Sequence, residues 1–330
     1  MIRTYTKLIM LVILAISVVG CGDGEQLQLD VQKALSKHTE MKNYRFSGAA
    51  DLSLDSPAAG WSSNPLTAGL LTMITNGKLT WEGVATVEPV RMELLLKLTP
   101  QGSSQPLDIP MLIQDNKMYI HIPAINEDEQ YYEIDLKQLS ELSGADNPIS
   151  TEQMGGAALL FSSIFNDIIG QVNPKRFEEV TTADADLRSI QITLGQKHVE
   201  EAIDIWYSSL PDIINQLSVA GYLQPHMQEA WEQKWSQENL DSTMNKSDQI
   251  TLNQPLTLQM VLDDAGFVRE SHMDVDITIV DEAKEAKSWS ISVVNRYEDI
   301  NQNPAFTQPI PTNIKPFSDI LDKISGNQKP

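Results

Sequence analysis

The chain has 330 residues, 41% of them hydrophobic, and carries 24 Lys and Arg against 45 Asp and Glu, a formal charge of −21. A body this acidic is repelled by phosphate backbones and anionic headgroups, which excludes nucleic-acid binding and adhesion to a membrane through a basic patch. The single cysteine, Cys21, excludes an intrachain disulfide, so the fold must be held by its core.

Arg3 and Lys7 are the only charges in the first twenty residues, and Leu8 to Val19 is apolar apart from Ser17. A basic start and an apolar run too short to span a bilayer comfortably read as a signal peptide, residues 1–20. Val18-Val19-Gly20-Cys21 resembles the lipobox of bacterial lipoproteins, with small or branched apolar residues leading to an acylated cysteine. Acylation at Cys21 also accounts for an otherwise unpaired thiol in an exported chain. Two or three acyl chains, at roughly 0.8 kcal/mol per buried methylene, give durable membrane attachment. Residues 21–28 then read as a short polar tether. Cleavage before Cys21 removes Arg3 and Lys7 and leaves 22 basic against 45 acidic side chains, a formal charge of −23.

Leu27 to Met41 has helical spacing, with Leu29, Val31, Ala34 and Leu35 inward and Lys33, Lys37, His38 and Glu40 outward. Tyr44 to Leu54 alternates as a strand. A Ser/Pro/Gly-rich loop at 56–64 and a short helix at 66–74 lead to a turn at Asn76-Gly77. Alternation returns at Leu79–Val87 and Arg91–Leu98. Met111–Gln114 and Met118–Ile122 form a hairpin about Asp115-Asn116-Lys117, and Tyr131–Leu136 is a further strand. The middle, about 140–245, is helical: helices are predicted at 135–142, Thr151–Val172, 199–217 (interrupted or kinked at Pro211), and 225–240, with a strand at Arg188–Leu194. The last third is β again. Leu256–Leu262 and Phe267–Val280 flank a turn at Asp263-Asp264-Ala265-Gly266, and Trp289–Val293 follows. Asn301–Pro316 is Pro-rich and extended, with a short helix after Phe317.

The order helix, meander, helices, meander predicts one α+β domain over 29–330. A curved antiparallel β-sheet (a half-barrel) carries helices packed on its concave face. Two domains divided near residue 140 are the alternative.

Five histidines (His38, His121, His198, His226, His272) lack ligand spacing to one another or to a cysteine, so no metal or cofactor is implied. Asp184/Asp186 and Asp274/Asp276 pair carboxylates at i, i+2, a spacing more often found on solvated strand faces than in calcium sites. No P-loop, GxGxxG, GxSxG or HExxH motif occurs. An enzyme would therefore need a composite site. A curved sheet under helices with wide apolar stripes can instead enclose an apolar cavity. Met92, Leu94, Leu96, Met118, Ile120, Phe161 and Phe165 are the candidate lining, with adaptable Met side chains suited to variable acyl chains.

Several stretches together resemble the LolA/LppX superfamily of lipoprotein and lipid carriers. They are the lipobox, the Tyr44-Arg45-Phe46-Ser47-Gly48 strand after the first helix, and the Asp115-Asn116-Lys117-Met118-Tyr119-Ile120 hairpin. Leu262 to Phe267 and Val293 to Asn301 before Pro309-Ile310-Pro311 complete the set. The resemblance covers roughly 30–135 and 250–315, and the helical middle is longer than in that family. It implies a half-barrel sheet, helices on its concave side, a hydrophobic cavity for lipid, and no catalytic residues. The expectation is an extracytoplasmic lipoprotein, held on the cell membrane or on an outer membrane facing the periplasm, that binds a lipid or other amphiphile. The alternative is an accessory envelope lipoprotein with a filled core acting through protein partners.

Overall fold

Order begins earlier than the apolar spacing suggests. In the computed structural model the first helix, α1, runs Asp23–Lys37. Asp23 and Glu25 in its first turn and Lys37 in its last complement the helix dipole. Residues 23–28, expected as a tether, therefore belong to the fold. Gln28, a polar residue that would favour a tether, is buried because it has a structural task. Its Nε2 donates to the carbonyls of Ile169 and Val172, both at 2.8 Å, and of Gly170 at 3.2 Å. Those carbonyls lie at and just past the end of a second helix, where backbone donors run out; Ile169 O also accepts the Val172 amide at 3.2 Å. Leu29, expected inward, is 49% exposed; the buried stripe is Leu27, Val31, Ala34 and Leu35.

The structure describes residues 23–55, 75–123, 126, 129–136, 151–182, 184, 186–219, 250–280 and 284–319. The signal peptide, the lipobox with Cys21, the expected loop at 56–64 and the expected helices at 66–74 and 225–240 lie outside the described residues. So do all but the start of the expected 135–142 helix and most of the helix expected after Phe317.

Six strands follow α1: β1 (Asn43–Leu54), β2 (Asn76–Val87), β3 (Val90–Pro100), β4 (Leu107–Gln114), β5 (Lys117–Ile120) and β6 (Tyr131–Asp135). Then come α2 (Thr151–Gln171), β7 (Phe177–Val180), β8 (Leu187–Leu194) and α3 (Val199–Val219). The chain continues with β9 (Ile250–Leu252), β10 (Leu256–Asp263), β11 (Val268–Val280), β12 (Ala286–Glu298) and β13 (Ile314–Pro316). The thirteen strands among the described residues join one sheet in the order β13-β6-β5-β4-β3-β2-β1-β12-β11-β10-β8-β7, with β9 beside β11. The protein is α+β with a large, open, curved sheet and helices on one face, as the sequence predicts. Among the described residues every pairing is antiparallel except β13 with β6, which is parallel.

Local chemistry explains the turns. Asp115 and Asn116 adopt positive φ of 53° and 60°, which matches the right-handed twist of the β4–β5 hairpin. Gly266 closes β10–β11 at φ +83°, and the Asp263 carboxylate accepts the Phe267 amide there at 2.9 Å. Asn76-Gly77, expected as a turn, instead opens β2: Asn76 pairs with Ser53 and Gly77 with Leu52. The helix through Pro211 is not interrupted; α3 runs past it unbroken. The short strands β7, β9 and β13 offer too few residues for an alternation to register.

Leu27, Val31, Ala34 and Leu35 of α1 pack with Ile169 and Val172 at the end of α2, and with Phe177, Ile190, Ile192, Met260, Leu262 and Val268 from the sheet. This core sits over the β7–β8–β10–β11 side. The opposite face carries a strap. After β12, Asn301 binds back to β1, its amide donating to Asn43 O at 2.7 Å. The chain then passes under β3, where the carboxylate of Glu93, 4% exposed, accepts the amides of Thr307 at 2.8 Å and Gln308 at 2.9 Å. It ends as β13 beside β6.

Replacing Gln28 by Leu should remove the side-chain donor shared by the carbonyls of Ile169, Gly170 and Val172, of which Ile169 keeps the Val172 amide. The expected loss is about 1–3 kcal/mol of folding free energy, read as an earlier midpoint in urea denaturation.

Candidate functional site

A cavity of about 530 Å³ lies between the sheet and the helices. Its floor comes from two strand groups. Tyr44, Ala85, Met92 and Ile113 form one cross-strand row over β1–β4, and Val293, Met273 and Leu258 form another over β12–β10. Side chains paired this way share a face, so both rows point to the helices. The roof is Leu35 at the end of α1, His38 and Thr39 in the 3-10 turn His38–Glu40, Met41, and Ser162 and Phe165 of α2. One wall is the hydrophobic core itself, through Leu35, Met260 and Val268. Val87 lines the rim and is 41% exposed, so the cavity meets solvent at the β2–β3 hairpin.

Of the seven candidate lining residues, Met92 and Phe165 reach the cavity. Leu94 and Leu96 share the inward face of β3 but lie farther along it. There Leu94 pairs with Gly83 and Leu96 with Trp81. The inner face at that level is filled by rings: a side chain on Gly83 would strike Phe46, and one on Gly48 would strike Trp81. Met118 and Ile120 also face inward, on β5 and beyond β4, outside the cavity wall. Phe161 lies on α2, and its side chain is outside the described residues. The corrected lining draws heavily on β10–β12, because β12 pairs with β1 and brings the C-terminal meander beside the N-terminal one.

The polar end of the cavity is aromatic. His38, expected on the outer face of the first helix, follows that helix and turns inward. Its ring meets Tyr297 edge-on, centroids 5.0 Å apart, and Tyr297 meets Tyr44 at 5.8 Å. His38 Nε2 is buried with no hydrogen-bond partner among the described residues. Burial pushes the imidazole below its ordinary pKa, so the ring is neutral near pH 7. Burial also raises the Tyr44 phenol, and burial followed by the proximity of Tyr44 raises that of Tyr297, so both stay protonated. Arg91 borders the rim, but its guanidinium is on the far face. There Nη2 donates to Glu93 Oε1 and Gln308 O, both at 2.7 Å, over the Phe306 ring. The signal that could have marked this end is the shared parity of Tyr44 and Phe46 with the inward face of β1. Nothing in the local pattern marks His38.

The carboxylate pairs do not converge. Asp274 and Asp276 lie on the outer face of β11, where Asp276 binds Asn253 at 2.6 Å. His272 Nε2 contacts both Asp274, at 3.2 Å, and the Ser292 hydroxyl, at 3.3 Å. Both contacts fall on one ring nitrogen, so the imidazole cannot take a proton from serine while the other nitrogen is oriented by the carboxylate. Asp184 sits in the β7–β8 connection. Its side chain accepts the Asp186 amide at 3.1 Å. Among the described residues no group of three or more His, Cys, Asp or Glu is placed to hold a metal ion, and no helix is long and apolar enough to cross a membrane.

No family model matches the chain, and no curated protein matches it. Among solved structures it is similar to the crystal structure of LprF from Mycobacterium bovis, at 9% identity and a TM-score of 0.37, over 86% of this chain and 97% of that one.

The buried neutral imidazole makes stability depend on pH. As pH falls below His38's ordinary value of 6.5, the unfolded chain takes up its proton before the folded chain does. Stability therefore declines with pH from that point until the folded pKa is reached. His38→Phe should remove that contribution, flattening the denaturation midpoint between about pH 8 and about pH 5 relative to wild type.

Proposed function

We propose that this protein binds a small hydrophobic ligand in the cavity between sheet and helices and acts as a carrier or receptor for it. The observation that carries the reading is the cavity itself. Its volume of about 530 Å³ falls within the roughly 300–1,000 Å³ of small-molecule sites. At about 30 Å³ per small group, it holds on the order of 15–20 non-hydrogen atoms, the scale of one alkyl chain with a compact head. Its wall is chiefly Leu, Ile, Val, Met and aromatic, with Met41, Met92, Met260 and Met273 able to repack around chains of different shape.

Acylation at Cys21 would hold the protein on a membrane, on its extracytoplasmic side. With α1 starting at Asp23, only Gly22 separates the acylated residue from the folded body. The cavity would then stay near the bilayer from which an apolar ligand comes. The acidic body would be repelled by anionic headgroups, which favours a covalent anchor over electrostatic adhesion. A lipid or other amphiphile is the proposed partner, and no catalytic step is proposed.

Two measurements test this. Metabolic labelling with palmitate should mark the wild-type chain and fail to mark Cys21→Ser; equal labelling would overturn the anchor. Native mass spectrometry of residues 23–330, which contain every helix and strand described, should show a co-purified apolar adduct or saturable uptake of a fluorescent fatty compound. A clean mass with no uptake would end the carrier reading and favour an accessory lipoprotein acting through proteins.

A further inference from the structure

The cavity combines an apolar body with a polar end that carries no formal charge, and this restricts the head of any ligand it takes. Among the described residues no Asp, Glu or Lys lines it, although the chain has 45 acidic residues. Its one arginine among them, Arg91, has its charge paired with Glu93 on the opposite face of the sheet, where Nη2 donates to Glu93 and Gln308 and Nε is buried without a partner among the described residues. The polar groups left facing in are neutral, and one of them, His38 Nε2, is buried without a partner.

Burying an ionised head in such a place has no compensating charge and is strongly unfavourable, whereas a neutral polar head needs only a hydrogen bond. An unmet ring nitrogen in a buried site also costs free energy that a ligand group can recover. Which tautomer His38 adopts decides whether Nε2 donates or accepts. A hydroxyl serves both cases, because it can do either.

We infer that the cavity selects an uncharged, single-chain amphiphile bearing a hydroxyl, with the chain between Phe165, Met260 and Met273 and the hydroxyl hydrogen-bonded to His38 Nε2. This rests on the ligand-binding reading above and specifies its chemistry. Neutrality follows from the lining among the described residues, and the position of the head follows from His38. The ring contact between His38 and Tyr297 fixes the imidazole plane, so Nε2 is presented at one place rather than swept through a range.

The test uses residues 23–330 and three probes of equal chain length: a long-chain alcohol, the corresponding fatty acid as its anion at about pH 8, and the corresponding alkylamine as its cation. Each is measured by displacement of a neutral fluorescent probe. The alcohol is expected to bind at least about tenfold more tightly than either ion. His38→Phe keeps a ring against Tyr297 and removes Nε2. It should weaken the alcohol by about two- to tenfold while leaving the uncharged fluorescent probe, chosen without a hydroxyl, unchanged. A matching melting temperature for the variant establishes that its fold is intact, and a His38→Gln variant, which restores a neutral donor and acceptor, should recover part of the loss. If the anion or the cation binds as tightly as the alcohol, selection for neutrality is wrong while ligand binding stands. If the alcohol wins but His38→Phe leaves it unaffected, the head lies elsewhere and the assignment to His38 falls. If neither the fluorescent probe nor the three amphiphiles bind, the carrier reading itself fails.

Discussion

The β1–β12 ladder holds this molecule together. It runs from Arg45 opposite Glu298 to Leu54 opposite Trp289, joining residues from opposite ends of the chain. Each strand also has a neighbour on its other side, β2 for β1 and β11 for β12, so the junction lies in the middle of the sheet. Without it there would be two separate meanders, each with an uncovered apolar face. With it, one continuous face receives α1 and α2. The residues along this seam are chosen for close approach: Gly48, opposite both Trp81 and Asn295, leaves room for the Trp81 ring where any side chain would collide.

The cavity is a consequence of that seam. Tyr44, Ala85, Met92 and Ile113 come from one meander and Leu258, Met260, Met273 and Val293 from the other, so neither half could enclose it. The helices are centred on the β7–β8–β10–β11 side, where their stripe completes the hydrophobic core. Charge is sorted by the same sheet. The outer face holds the ion pairs of Arg296 with Glu270, Lys97 with Glu82 and Arg91 with Glu93, while among the described residues the inner face at the cavity carries no Asp, Glu or Lys. Gln28 fits the same logic on the helical side, since a neutral amide caps buried carbonyls without placing a charge in the core.

What could be read from the chain is what two- and 3.6-residue periods carry. Alternation at Tyr44–Leu54, Leu79–Val87, Arg91–Leu98 and Leu256–Leu262 gave strands and inward faces that the register reproduces. Pairing between distant strands has no local signature, and with it went most of the cavity wall. Leu94 and Leu96 illustrate the limit: parity placed them on the correct face, but only the position of Phe46 and Trp81 across the sheet decides how far along β3 the cavity extends. His38 and Gln28 were hidden for a different reason. Each is a polar residue whose role depends on a partner more than a hundred positions away, Tyr297 for one and the end of α2 for the other. The Pro-rich segment after β12 was legible as extended, yet its attachment to Glu93 was not, because a buried carboxylate satisfied by backbone amides looks in sequence like any surface glutamate.

The two ends of the open sheet bear on how such molecules behave when crowded. An open sheet has two borders, and each exposes backbone groups that could recruit a second molecule. At one border β7 is only Phe177–Val180, with Glu178 and Glu179 exposed and Arg188 gripping Glu179 at 3.0 Å. At the other, the strap supplies β13, three residues ending in Pro316, which has no amide hydrogen to offer. Among the described residues neither of these borders presents a long, uncharged template. A chain with an apolar interior open at its rim can thus be packed densely against copies of itself and resist edge-to-edge fibre growth, leaving the cavity mouth rather than the backbone as its adhesive feature.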